Sequence, residues 1–271
     1  MVRTFEIESG TLRRSWTDAT LAAASATLPA GAYTSLRTYG GSRVLRLARH
    51  VARLEESLAL QGRPGRLPLA EARHALATAL RACGHAESRV RITFAPPGLF
   101  VSVEPFAPLG EPLYRDGVWC VTLPLHRSNP QAKDTRFIAT AGDAYARLPP
   151  GAHEGLLVTE GGEILEGLSS NFFAVAGGAL RTEADRALHG VTRSQVLELT
   201  RDELPLSLSP VRKAEVASLD EAFLTSVSRG VLPVTRIDEL SVGSGRPGPV
   251  TRDLMRGFHA LAEREAESVF D

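Results

Sequence analysis

The sequence predicts an α+β protein in two parts: a small two-layer α/β domain over residues 1–110 and a larger, β-rich α/β domain over residues 111–271. Three observations carry that expectation. Apolar residues alternate in short runs broken by Gly-Gly or Pro-Gly pairs, which is hairpin patterning. Between two such hairpins, two stretches repeat apolar residues at helical spacing. A Pro- and Gly-containing segment, residues 106–117, then separates this set from a second series of strands.

The elements follow in order. Residues 2–7 read as an opening strand, and residues 31–47 as a hairpin turning at Gly40 and Gly41. Leu47, Val51, Leu54 and Leu58 recur at spacings of four, three and four, an amphipathic helix that stops near Gly62. Leu69, Ala72, Leu76, Leu80 and Cys83 mark a second helix closed by Gly84. Val90, Ile92 and Phe94 alternate, and Pro96, Pro97 and Gly98 turn the chain into a partner strand at 99–103. Two helices on an antiparallel sheet are the expected product. In the second part, residues 118–123 form an apolar strand, and residues 131–138 enter a helix that Pro149 and Pro150 stop. Gly177 and Gly178 mark a turn, His189 to Ser194 introduce a helix, residues 221–228 form a strand ending in hydroxyls, and residues 249–270 form a closing helix.

Composition narrows the function classes. The formal net charge is zero, so no strong attraction to nucleic acid or an anionic membrane is implied. No run is apolar enough to span a bilayer, and the Ala-rich residues 19–32 follow Asp18 and lack the charged start of a secretion signal. Cys83 and Cys120 make neither a disulfide framework nor a metal-ligand spacing, so a reducing cytoplasm is the expected location and no metal is expected. His50, His126, His153 and His189 are scattered and read as solvated or structural. Of 31 basic residues only Lys133 and Lys213 are lysines. Arginine stays protonated, whereas a desolvated lysine becomes an amine nucleophile, so these two are the candidates for a Schiff base. Lys213 reads as a surface survivor.

The chain is organised around residues 154–175. An apolar run meets Gly161-Gly162 and a return strand, and then a polar knot: Glu166, Gly167, Ser169, Ser170 and Asn171. A core alone does not call for a carboxylate, a glycine and an amide between buried strands, although a wide solvated loop explains the local pattern equally well. The run Glu166-Gly167-Leu168-Ser169-Ser170-Asn171-Phe172-Phe173 resembles the Glu-Gly-x-x-Ser-Asn-x-Phe signature of class IV aminotransferases. These are fold-type IV pyridoxal-phosphate enzymes, which include branched-chain and D-amino-acid aminotransferases and aminodeoxychorismate lyase.

The resemblance extends from about Gly31 to the helix near residue 260, and it implies roles. Pyridoxal 5′-phosphate is the implied cofactor and Lys133, 33 residues before Glu166, the implied Schiff-base lysine and catalytic residue. Glu166 matches the partner of the pyridine nitrogen, with Ser170 and Asn171 in the same signature. Glu160 and Glu163 read as hairpin surface. Val191 and Thr192 match a phosphate loop opening a helix, where a helix N-terminus offers amides to a dianion. Arg53, in His50-Val51-Ala52-Arg53-Leu54-Glu55-Glu56-Ser57, resembles the helix arginine that holds the phosphate. Ser226, Val227 and Ser228 stand where a late strand touches the phosphate. Arg91 and Tyr33 are the implied substrate contacts. Amino-acid and keto-acid substrates and a homodimer are the implied partners, with no nucleic acid or membrane.

The sequence departs from the pattern in three places. Ile138 stands where a tyrosine commonly meets the cofactor phenolate, and Val227 replaces a threonine. Tyr33-Thr34-Ser35 replaces the Phe-Glu-Gly of branched-chain enzymes and is closer to the Phe-Thr-Thr of the lyase. Three readings follow: a transaminase, an aminodeoxychorismate lyase, and a non-catalytic protein that retains the cofactor fold. Arg91 favours the first, Thr34 the second, and the absent tyrosine the third.

Overall fold

The computed structural model describes residues 1–8 and 10–270. They divide into two units, one of Met1–Ala107, Ala132–Thr140 and Leu261–Asp271, the other of Pro108–Gln131 and Ala141–Ala260. Residues 132–140 and 261–270, beyond the boundary read from the sequence, cluster with the first unit. Among the described residues no helix is long and apolar enough to cross a membrane.

The first unit holds strands β1 (Val2–Glu8), β2 (Thr11–Asp18), β3 (Ala32–Tyr39), β4 (Arg43–Val44), β5 (Ser88–Ala95) and β6 (Gly98–Pro105). Its helices are α1 (Leu21–Ala26), α2 (Leu47–Leu60) and α3 (Leu69–Cys83). The short strand Glu267–Ser268 lies at the sheet edge, followed by β4, β3, β5, β6, β1 and β2. Helices α2 and α3 place Leu47, Leu54, Leu58 and Leu76 in one core with Phe5, Ile7, Leu36 and Ile92. Alternate strand residues and every third or fourth helix residue face that core, as their periods require. Gly84 closes α3 in the left-handed region at φ 64°, donating to the Leu80 carbonyl.

Two elements here were not expected. Strand β2 is largely exposed, so it carries no apolar alternation to read. Helix α1 opens at Thr20, whose hydroxyl accepts from the Ala23 N–H at 3.1 Å.

The second unit holds helix α4 (Glu111–Asp116), strand β7 (Val118–Leu123), helix α5 (Phe137–Ala146), which begins in the first unit, and strands β8 (Glu154–Val158), β9 (Glu163–Gly167), β10 (Asn171–Ala176) and β11 (Ala179–Arg181). Helix α6 (Val191–Thr200), β12 (Leu206–Ser207), β13 (Val211–Arg212), β14 (Glu221–Ser226), β15 (Gly230–Ile237) and β16 (Leu240–Ser241) follow. Strands run in the order β12, β11, β10, β14, β15, β7, β8, β9, β13, and a β9–β10 pairing closes six of them on themselves. Neighbours are parallel at β15–β7 and β7–β8, and antiparallel from β8 through β9 to β10 and across β10–β14–β15.

The segment read as a bare linker contains α4, which Pro112 starts and Glu111 and Arg115 cap electrostatically. The late strand stops at Ser226, and residues 227–229 turn into β15. The closing helix α7 spans Pro249–Glu265 and stops short of Phe270, because Glu267–Ser268 pair with Arg43–Val44. Its N-terminus is capped by Glu221, whose carboxylate accepts from the Val250 and Thr251 N–H groups at 3.0 and 2.7 Å.

Candidate functional site

In the first unit, Lys133 is fixed by its backbone. Its N–H donates to Ser57 Oγ at 3.0 Å, and its carbonyl accepts from the Tyr33 N–H at 3.0 Å. Thr135 N–H donates to the Gly31 carbonyl and Thr135 Oγ1 accepts from the Gly31 N–H, both at 3.0 Å. The segment therefore lies along the start of β3, with Ala32 bridged to Asp134. Gly31 is needed there, since a Cβ would sit 2.4 Å from the Phe94 carbonyl oxygen. Lys133 Nζ stands 4.7 Å from the centroid of the Tyr33 ring, a cation–π distance.

Arg53 is 5% exposed and donates through Nη2 to Thr34 Oγ1 at 2.6 Å. Burial lowers its pKa to about 10, with Tyr33 and Glu56 working the other way. The same threonine oxygen is 2.7 Å from His50 Nδ1. His50, read as solvated or structural, is 2% exposed and tied to Arg53 through that hydroxyl. Arg91 stacks over Tyr33 at 4.9 Å, but its Nη1 donates to the Leu21 carbonyl at 2.8 Å and to Ser25 Oγ at 2.6 Å. Arg91 thus holds helix α1, through contacts that leave no local sign in the sequence.

In the second unit, Glu166 is buried, with Oε1 3.0 Å from Arg127 Nε and Oε2 accepting from the Leu188 N–H at 3.1 Å. Arg127, missed in the sequence because its loop shows no periodic pattern, also donates to the Leu168 carbonyl at 3.2 Å. Glu166, Asn171 and Thr225 are register partners across β9, β10 and β14, so their side chains share one face. Thr225 Oγ1 is buried without a hydrogen-bond partner. Asn171 Nδ2 donates to the Leu188 carbonyl at 2.7 Å, so Glu166 and Asn171 together fix the loop that leads to Gly190.

Gly190 lets that loop press against Asn171: a Cβ would lie 2.2 Å from Asn171 Oδ1. Helix α6 begins there with no side-chain cap, and Val191 and Thr192 are each 4% exposed. Its first backbone N–H groups have no intrahelical partner.

A second buried knot braces the turns on either side. Glu154 is fully buried; its Oε2 takes Arg229 Nη1 at 2.9 Å and Ser170 Oγ at 3.0 Å, and its Oε1 takes the Tyr145 hydroxyl at 2.5 Å. Arg229 Nε donates to Ser226 Oγ at 2.9 Å. Burial, the largest single influence, depresses the Arg229 guanidinium, but the Glu154 and Tyr145 charges and hydrogen bonds together outweigh it and its pKa is raised. Burial, then Glu154, raises the Tyr145 phenol. The Ser170 hydroxyl is thus turned to Glu154, and Ser226, Val227 and Ser228 are half-buried residues at the Arg229 turn. Lys213 pairs with Asp238 at 3.2 Å and is about half exposed.

Over 120 residues the chain is 32% identical to the branched-chain-amino-acid aminotransferase of Pseudomonas aeruginosa, covering 44% of this chain and 39% of that protein. Over 138 residues it is 36% identical to the D-alanine aminotransferase of Staphylococcus haemolyticus, covering 50% of this chain and 45% of that protein. The chain therefore spans less than half the length of either curated relative. Its fold is similar to that of a branched-chain aminotransferase from the thermophilic archaeon Thermoproteus uzoniensis, solved with norvaline. The TM-score is 0.80, at 23% identity over 98% of this chain and 99% of that one. Residues 31–237 match the family model of amino-transferase class IV, and the chain belongs to that family.

Proposed function

We propose that this chain is a pyridoxal-phosphate-dependent aminotransferase that moves an amino group from an amino acid to a 2-keto acid. The observation that carries the reading is Glu166: a buried carboxylate held by Arg127 and the Leu188 N–H, in one row with Asn171 and the unpartnered Thr225 hydroxyl. The residues fit pyridoxal 5′-phosphate. The second unit offers a fixed carboxylate and an uncapped helix N-terminus at Val191 and Thr192. The first unit offers a lysine amine and a buried arginine whose Nε has no hydrogen-bond partner.

When bound, the cofactor supplies an aldehyde for an amine to hold and a protonated ring that accepts an electron pair. Lys133 Nζ would be the amine that holds the aldehyde and the base that moves the α-proton of the amino acid. Its backbone clamp by Ser57 and Tyr33 fixes where that nitrogen starts. Glu166 would hold the proton on the ring nitrogen. By the family resemblance, Arg53, the amides at Val191 and Thr192, and Ser226, Val227 and Ser228 would each serve the phosphate, and Ser170 and Asn171 would serve the cofactor through the Glu-Gly signature. Tyr33 and Arg91 are the substrate contacts that the resemblance implies. The assembly is a homodimer of the family kind, and free Cys83 and Cys120 suit a reducing cytoplasm. An active monomer in light scattering removes the dimer from this reading.

Arg91 gives specific weight to a second reading. Two of its hydrogen bonds already hold helix α1, which weakens its claim to a substrate carboxylate and leaves aminodeoxychorismate lyase as the alternative. Purified protein incubated with single amino acids should show the cofactor spectrum of a half-reaction, reversed by a keto acid. Borohydride reduction and peptide mapping should place the cofactor on Lys133. Pyruvate release from aminodeoxychorismate without any amino-acid half-reaction makes the chain a lyase. An adduct on Lys213 refutes the site.

A further inference from the structure

On helix α2, His50, Arg53 and Ser57 follow at spacings of three and four, which places them on one face. All three are buried, and each meets a partner off the helix: Thr34 Oγ1 for His50 and Arg53, and the Lys133 N–H for Ser57. The direction of the Thr34 bonds follows from donor chemistry. A guanidinium has donors only, so Arg53 Nη2 gives its proton to Thr34 Oγ1. His50 Nδ1 also lies 3.5 Å from Arg53 Nη2, so a proton on Nδ1 would set donor against donor. Unprotonated, Nδ1 accepts. The Thr34 hydroxyl therefore donates to Nδ1, and His50 is the neutral tautomer with its proton on Nε2. Burial, and then the charges of Arg53, Lys133 and Arg49, push the His50 pKa well below its ordinary value, which keeps the ring in that neutral form.

We infer that Thr34 and His50 are positioning residues that orient the Arg53 guanidinium for the phosphate of the cofactor, an inference that rests on the phosphate role proposed above for Arg53. His50 orients the hydroxyl, and the hydroxyl holds one edge of the guanidinium while Arg53 Nε keeps a buried donor without a partner. A side chain locked before the ligand arrives loses less freedom on binding it.

The test titrates cofactor-free protein with pyridoxal 5′-phosphate and, separately, with pyridoxal, which lacks the phosphate. The ratio of the two dissociation constants isolates the phosphate grip. Arg53→Ala should collapse that ratio. Thr34→Val, nearly the same shape without the hydroxyl, should lower it about tenfold, as losing a hydrogen bond to a charged group does, while pyridoxal affinity holds. Thr34→Ser should restore it. An unchanged ratio in Arg53→Ala refutes the phosphate role of Arg53, and the inference falls with it. A collapsed ratio in Arg53→Ala beside an unchanged one in Thr34→Val leaves that role standing and overturns the positioning. Nitrogen-15 spectra of labelled histidine, assigned through His50→Gln, supply a readout independent of binding. Nδ1 of His50 should be the unprotonated nitrogen, and a protonated Nδ1 overturns the donor order.

Discussion

Replacing Glu166 with glutamine separates its bracing role from its proposed role at the ring. Both carboxylate oxygens face a positive or donor group: Oε1 pairs with the Arg127 guanidinium, Nε at 3.0 Å, and Oε2 accepts from the Leu188 N–H at 3.1 Å. A glutamine keeps the shape but turns one terminal atom into a donor. Whichever way the amide is flipped, one buried donor then faces another, which costs about 1–3 kcal/mol. The Arg127 side chain is only 6% exposed, and losing its carboxylate adds to that cost. A net loss of about 3 kcal/mol lowers the melting temperature by roughly 6–12 °C for a chain of this size class. Turnover should fall further than stability accounts for, by roughly two orders of magnitude, because the charge beside the ring nitrogen is gone. Thermal unfolding measures the first effect. A single-turnover amino-donor reaction, run well below the variant's melting temperature, measures the second. Near-parent turnover in a destabilised Glu166→Gln protein makes Glu166 a brace for Arg127 and the Leu188 loop, and refutes its role at the ring.

Arg229→Met should destabilise the protein by about 3–5 kcal/mol in denaturant titration, because it strands the fully buried Glu154 carboxylate; adding Glu154→Gln should recover part of the loss, and strict additivity would count against the pair. Burial works to raise the Asp238 carboxyl, but the Thr122 N–H, the Thr122 hydroxyl and Lys213 outweigh it and hold it below the usual range. A depressed folded-state pKa gives stability that is full above the unfolded value of about 3.9 and lost as pH falls through the folded value. Asp238→Asn, which tolerates the φ of 49° at this position, should therefore flatten the acid limb of a stability–pH curve; an unchanged limb contradicts the assignment. Gly190→Ala places a methyl 2.2 Å from Asn171 Oδ1 in a backbone that otherwise suits alanine, so it should cost about 1–3 kcal/mol in denaturant titration and weaken cofactor binding in direct titration. Parent-like values for both would mean the loop yields.

Much of the fold was legible because it is written locally. The spacing of Leu47, Val51, Leu54 and Leu58 defines helix α2, and Gly84 marks the end of α3, since both follow from the period and backbone freedom of single residues. The stretch around Glu166 stood out because polar residues interrupt two apolar strands. Strand β2 and helix α4 did not stand out: one buries too little to alternate, and the other sits among prolines and glycines.

The chain by itself determined the hairpins, the two helices on the first sheet, the family signature and the scarcity of lysine. Those are properties of neighbours in sequence, where a side-chain period or a glycine acts directly on the backbone. Only the tertiary structure decided that residues 132–140 join the first unit, where Ser57, 76 positions before Lys133, holds the lysine's amide. It also decided that Arg127 faces Glu166, that Arg229 meets Glu154 across 75 positions, and that Thr34 joins His50 to Arg53. Hydrogen bonds and ion pairs between distant segments leave no period in the sequence, because a buried charge needs a partner only where packing has removed water, and packing places that partner.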